Sequence, residues 1–259
     1  MKSNRFKQQL AAGAMPIGHM ILEFGSRGQA QVLGQTGLDF VIIDQEHSSF
    51  TVANVADMIA WFKATDIAPF IRIPQIHYHL IARIMDAGAL GIMVPNVKTG
   101  AQAKAIVDAV KYAPLGNRGV IMGSAHTDFK SVNAAEFMAY ANDNTTIICQ
   151  IESQEGLDNI DDIASTPGVD NLWVGHFDLT QSLGIPGQFE HQAFLDAIKK
   201  VIDTANKHEL SAGIQPGSLA QAQAWHAAGF NVISYSADFA VYQEAMAQSV
   251  SDIRQHVQG

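Results

Sequence analysis

The sequence predicts an α/β chain folded as a single-domain (β/α)8 barrel of the TIM type over residues 1–259. Three observations carry this. Eight short apolar runs recur along the chain, and most are followed by polar or glycine-containing turns and then by apolar residues spaced three or four apart. With 259 residues and 47% hydrophobic content, the chain is long and apolar enough for one barrel-sized core.

The runs cover residues 16–22, 40–44, 69–73, 91–94, 146–151, 172–174, 211–214 and 232–235. Between them, residues 52–62, 80–85, 101–111, 194–208 and 219–228 carry the helical period. Gly88, Gly100 and Gly229 fall where helix C-caps or tight turns are expected. The interval 98–144 is long for one helix and contains the turn Pro114-Leu115-Gly116-Asn117-Arg118-Gly119. It reads as a helix, an ordered loop at the barrel mouth and a second helix near 134–140. From Asp238 onward, Phe239, Tyr242, Met246 and Val250 share one side of an extra C-terminal helix that closes the barrel or packs on a neighbouring subunit.

Composition removes several function classes. A formal charge of -9, from 16 basic and 25 acidic side chains, leaves no basic stripe for a phosphate backbone, so no nucleic-acid partner is expected. The apolar stretch at residues 10–14 is interrupted by Gly13 and followed by Pro16, too short for a signal peptide or a membrane span. A cytoplasmic protein without a membrane partner is the expectation. The single cysteine, Cys149, cannot form an intrachain disulfide and lies in an apolar run, which fits a buried, inert thiol.

In such a barrel the active site gathers at the C-terminal ends of the strands. The second run ends Asp44-Gln45-Glu46-His47, bringing two carboxylates and an imidazole into one loop. His47 is a natural general base, because imidazole titrates nearest neutrality; ordinary solvated loop charges are the alternative. Arg72, amid apolar neighbours, requires an acceptor, either a substrate carboxylate or a structural ion pair. Alternation places Gln150 and Glu152 on one face, where Asp178, after the sixth run, can converge with them. Two carboxylates, completed by water and substrate oxygens, suit Mg²⁺ or Mn²⁺, but by themselves they do not separate a metal site from solvated charge.

Other features are less specific. His77-Tyr78-His79 implies no third metal ligand, and His19, His126 and His176 are mouth candidates without a role. Gly116-Asn117-Arg118-Gly119 is a weak anion cradle. No lysine follows a strand where a Schiff-base nucleophile is expected, and no nucleotide glycine fingerprint occurs.

In order along the chain stand Asp44-Gln45-Glu46-His47, Ile71-Arg72-Ile73-Pro74, Met85-Asp86-Ala87-Gly88-Ala89, Gly91-Ile92-Met93-Val94-Pro95, Arg118-Gly119-Val120, Gln150-Ile151-Glu152 and Val174-Gly175-His176-Phe177-Asp178-Leu179. With these motifs the sequence resembles the class II, metal-dependent pyruvate aldolases of the 4-hydroxy-2-oxoheptanedioate aldolase and citrate lyase β-subunit superfamily. The resemblance implies a carbon–carbon lyase that cleaves 4-hydroxy-2-oxoacids reversibly to pyruvate, or hydroxypyruvate, and an aldehyde.

It also implies roles for single residues. Glu152 and Asp178 would bind the metal, Mg²⁺ or Mn²⁺ first and Co²⁺ or Zn²⁺ as alternatives. Arg72 would hold the keto oxygen, Gln150 would line the substrate site, and His47 would be the base. Asp86 would polarise His47, from a neighbouring subunit of a homo-oligomer, a hexamer in the family; Asp44 would stand behind these residues.

The sequence also departs from the family pattern. Met20 replaces a common tryptophan, Gln45 a glycine, and His176-Phe177 a proline-alanine pair, which bears on the aldehyde half. The alternatives are a malyl-CoA or citryl-CoA type lyase, against which Ile73 after Arg72 counts, and a non-catalytic metabolite-binding barrel.

Overall fold

Every expected strand forms. In the computed structural model, which describes residues 1–257, the strands are β1 (Ile17–Ile21), β2 (Phe40–Asp44), β3 (Ala68–Arg72), β4 (Gly91–Val94), β5 (Thr146–Ile151), β6 (Asn171–Val174), β7 (Ser211–Ile214) and β8 (Val232–Ala237). All neighbours pair in parallel, and β8 returns to β1, closing the barrel. The helices are α1 (Arg5–Ala11), α2 (Arg27–Leu33), α3 (Val52–Phe62), α4 (Tyr78–Ala87), α5 (Gly100–Val110), α6 (Ala134–Asn144), α7 (Gln154–Asp158), α8 (Ile160–Ala164), α9 (His176–Ser182), α10 (Gln192–Lys207), α11 (Leu219–Ala228) and α12 (Asp238–Val257).

The strands are buried on both faces, so their sequences read as continuous apolar runs. Alternation nevertheless sorts them. Val41, Ile43, Ile71, Ile147, Cys149 and Ile151 pack outward against the helices, whereas Phe40, Ile42, Ala68, Phe70, Ile148 and Trp173 fill the barrel. Continuing that inward register along the same strands reaches Asp44, Arg72, Gln150 and Glu152. The interior therefore changes from apolar to charged at its C-terminal layer.

The opposite end is plugged by α1. Phe6 is fully buried and meets Phe40 and Phe70 edge-on, with ring centroids 5.2 and 5.1 Å away. Gly18 gives the Phe40 ring its space, because a Cβ at residue 18 would overlap that ring.

Three features differ from expectation. Gly100 opens α5 instead of ending a helix, because Thr99 is the stronger N-cap and its hydroxyl accepts from Gln102 N–H at 3.2 Å. Gly88 and Gly229 do end helices, with φ of 104° and 120°. The α1, α2, α7, α8 and α9 helices lie outside the helical runs read from the sequence; each has five to seven residues, too few for a clear period.

The segment between α5 and α6 does not line the cavity at the C-terminal ends of the strands. It packs along α4, where Gly119 N–H donates to the Tyr78 hydroxyl at 2.8 Å. Helix α12 extends from the barrel with Tyr242, Met246 and Val250 exposed. Among the described residues no helix is long and apolar enough to cross a membrane.

Candidate active site

A cavity of about 330 Å³ opens at the C-terminal ends of the strands, within the range of small-molecule sites. His47, Arg72, Gln150 and Asp178 line it. Of the residues singled out from sequence, Asp44 lies directly beneath, Glu152 lies beside Gln150, and Asp86 is elsewhere.

Asp44 organises the β2 side. Its carboxylate is fully buried and accepts from Arg72 Nε and Nη2, both at 2.7 Å, in a two-pronged pair. The same oxygens accept from the backbone N–H groups of Glu46 at 3.0 Å and His47 at 3.1 Å. One carboxylate thus fixes both the guanidinium plane and the loop carrying the imidazole. The structural ion pair expected as one alternative for Arg72 exists, yet the guanidinium still faces the pocket.

Glu46 is a site residue that the sequence reading left without a role. Its Oε2 lies 3.3 Å from Arg72 Nη1 and 3.8 Å from His47 Nε2. Burial pushes its carboxyl above the usual range, against the opposing pull of Arg72. Its position two residues after Asp44, on the same side of the loop, was the available signal.

Glu152 follows the last residue of β5 and is buried. Its Oε1 accepts from Asn96 N–H at 2.6 Å, and its Oε2 accepts from Gln150 Nε2. Asn96 holds a left-handed backbone (φ 50°), aiming that N–H at the carboxylate. Burial raises the Glu152 pKa to about 7, and the charges of Asp178 and Glu46 push in the same direction.

Gly175 permits this arrangement. A Cβ there would overlap Glu152 Oε2 and crowd Gln150 Nε2. Gly175 also serves as N-cap of α9, so Asp178 sits on the first turn of a helix, not on the strand end, with its carboxylate exposed at the pocket wall.

These donors suit a hard divalent cation. Glu152 is engaged by neutral N–H donors and no cation, like charges surround it, and the buried Gln150 Oε1 has no hydrogen-bond partner. Among the described residues no three His, Cys, Asp or Glu side chains converge on one point, so a cation here would rely on two carboxylates with water and substrate oxygens completing its shell.

Sequence and structure place the remaining candidates as follows. Asp86 accepts from Arg118 Nη2 at 2.5 Å and has no contact with His47 of the same chain. Arg118 is buried against Asp86 and the Tyr112 ring, with its centre 4.6 Å from the ring centroid, and forms no open anion cradle. His126 is fully buried against Phe137, and His19 is buried with Nδ1 at 2.8 Å from the Tyr235 carbonyl. His176 does reach the pocket, but burial lowers its pKa to about 4, leaving the ring neutral. Cys149 is fully buried and its thiol is pushed up to about 12.

Comparison with known proteins identifies the family. The family model described as HpcH/HpaI aldolase/citrate lyase matches residues 26–241, a range that includes His47, Arg72, Glu152 and Asp178. The chain belongs to this HpcH/HpaI family. It is a carbon–carbon lyase of the class II aldolase superfamily.

It is 33% identical over 249 residues to a 5-keto-4-deoxy-D-glucarate aldolase of Shigella dysenteriae, with 96% of each chain covered. The crystal structure of an HpcH/HpaI aldolase from Desulfitobacterium hafniense superposes with a TM-score of 0.91 at 32% identity, covering 96% of both chains. A family protein from Burkholderia cenocepacia gives 0.90 at 31% identity, covering 97% of this chain and 100% of that one. The citrate lyase β subunit of M. tuberculosis, in complex with oxaloacetate and magnesium, shares the fold alone, with a TM-score of 0.56 at 15% identity over 86% of this chain and 92% of that one.

Proposed function

We propose that this lyase cleaves 4-hydroxy-2-oxoacids reversibly to pyruvate, or hydroxypyruvate, and an aldehyde, with a divalent metal held by Glu152 and Asp178. The observation that carries the reading is the buried Glu152 carboxylate, which forms no ion pair among the described residues yet sits beside an unpartnered oxygen of Gln150, a residue that lines the cavity together with Arg72 and Asp178. Mg²⁺ or Mn²⁺, when bound, supplies Lewis-acid polarisation of the 2-oxo group.

The chain's own residues do the rest. Arg72, immobilised by Asp44, presents guanidinium charge where the keto oxygen gains negative charge as the C3–C4 bond breaks. Its geometry is fixed before the substrate arrives, so little reorganisation accompanies that change. His47 takes the proton of the C4 hydroxyl as the aldehyde carbonyl forms, with the Glu46 carboxylate 3.8 Å from its Nε2. Gln150 positions the oxoacid. Asp86 is bound to Arg118 within its own chain, so a role in polarising His47 calls for a neighbouring copy. The exposed apolar side of α12 supports such a homo-oligomer.

The test is pyruvate release from a 4-hydroxy-2-oxoacid. Exhaustive chelation should abolish it, and Mg²⁺ or Mn²⁺ should restore it in the wild type but not in Glu152→Gln. Full activity after chelation would remove the metal from the mechanism.

A further inference from the structure

We propose that Asp238 is a positioning residue of the active-site cavity: it clamps the loop after β1 onto the first turn of α12 and so holds Leu22 and Phe239 at the edge of the bound substrate. The proposal rests on the reading that this cavity takes the oxoacid.

Asp238 opens α12 and is buried. Its donors are backbone N–H groups. Oδ1 accepts from Leu22 at 3.1 Å and from Phe239 at 2.9 Å, Oδ2 accepts from Phe24 at 2.7 Å, and the Glu23 N–H reaches both oxygens, at 3.3 and 3.0 Å. Three successive N–H groups of one loop thus converge on one carboxylate, as they do around bound anions, and the charge strengthens each bond. One helical turn further, the Tyr242 ring meets the Phe24 ring edge-on at 5.6 Å, so the loop touches α12 at two points. Glu23 and Phe24 are themselves exposed, so burial contributes little to their position.

The end of β8 is shaped to deliver this carboxylate. Gly18 pairs with Ser234 but Met20 pairs with Ala237, so β8 takes three steps where β1 takes two. The extra residue makes a bulge, in which Ser236 has a left-handed backbone (φ 52°). The loop after β7 holds it there: Ser236 N–H donates to the Pro216 carbonyl at 2.9 Å, and Gln215 Nε2 donates to the Ser236 carbonyl at 3.1 Å. Such a conformation persists only where the surroundings fix it, and it clusters at functional sites.

Strict alternation would show the cavity every second residue of β8, yet Ser236 and Ala237 both line it, and Phe239 follows. From β1, Met20 and Leu22 line it. Leu22 is bound by Asp238 through its N–H, and Phe239 is its neighbour in the chain. One side chain behind the cavity therefore fixes two that face it. Arg72, His47 and Glu152 are placed by Asp44 and Asn96 instead, so losing the clamp acts on binding and leaves the reacting groups where they are.

The test is steady-state cleavage of a 4-hydroxy-2-oxoacid by the Mg²⁺-loaded enzyme, with amide hydrogen exchange at residues 22–24 followed by mass spectrometry. Asp238→Ala should raise KM about ten-fold while kcat stays within about two-fold of wild type. Asp238→Asn keeps one acceptor oxygen and should fall between the two. In Asp238→Ala the amides of residues 22–24 should exchange at least about ten-fold faster than in wild type. A merely structural role would lower the folded fraction, and with it the apparent kcat, at unchanged KM. That pattern, or wild-type exchange at residues 22–24 in Asp238→Ala, or failure of both variants to fold, overturns this proposal alone. A wild-type enzyme that leaves the oxoacid uncleaved overturns it together with the aldol reading.

Discussion

Gly175 and Glu152 are in direct contact: the volume a side chain would need at residue 175 is occupied by Glu152 Oε2, with Gln150 Nε2 beside it. The end of β6 therefore sets how far the β5 carboxylate can reach into the barrel. Gly175→Ala should displace Glu152, weakening Mg²⁺ affinity by about 10–100-fold while leaving the thermal transition within a few degrees of wild type. Titration calorimetry and a melting curve measure the two effects, and unaltered metal affinity would sink the idea.

Asp44 and Arg72 form a buried pair in which each leaves the other uncompensated if removed. Asp44→Ala should cost about 3–5 kcal/mol of stability and also release the loop that carries His47. Denaturant unfolding of the variant, alongside its kcat/KM for oxoacid cleavage, checks both. Loss of activity without loss of stability would mean the pair carries little of the fold.

Glu152 gives a pH dependence with a definite sign. Its folded pKa of about 7 lies above the 4.5 of an unperturbed glutamate, so between these values the folded state holds more protons. The metal-free protein therefore carries a contribution from this group that is fully present below about pH 4.5 and is lost as pH rises through about 7. Metal uptake at pH 6 should release a proton that uptake at pH 8 does not. Calorimetry in buffers of different ionisation enthalpy reads this directly, and Glu152→Gln should abolish the difference.

Phe6 closes the far end of the barrel. Phe6→Ala should destabilise the protein by about 3–5 kcal/mol, since the ring is fully buried against Phe40 and Phe70. Equilibrium unfolding measures it, and a cost under about 1 kcal/mol would mean that the plug collapses around the gap.

Much of this was legible in the chain before any coordinates. The barrel was readable because its strands are buried on both sides and so stand out as apolar runs, with Asp44, Arg72 and Glu152 breaking the pattern where the interior meets solvent. The site's inventory followed from the same break in pattern, and the order of motifs pointed to the family.

Distances between strands remote in sequence were not legible. Nothing local to Arg72 distinguishes a substrate contact from its pairing with Asp44, nothing local to Asp86 points to Arg118, and the role of Gly175 exists only because β5 and β6 lie side by side. The sequence by itself determined the barrel, the inward register and the kinds of side chain at its mouth, because alternation and burial are local constraints. The tertiary structure alone decided which carboxylate pairs with which cation and where α1 and the segment before α6 pack, because these depend on contacts between segments that no local pattern encodes.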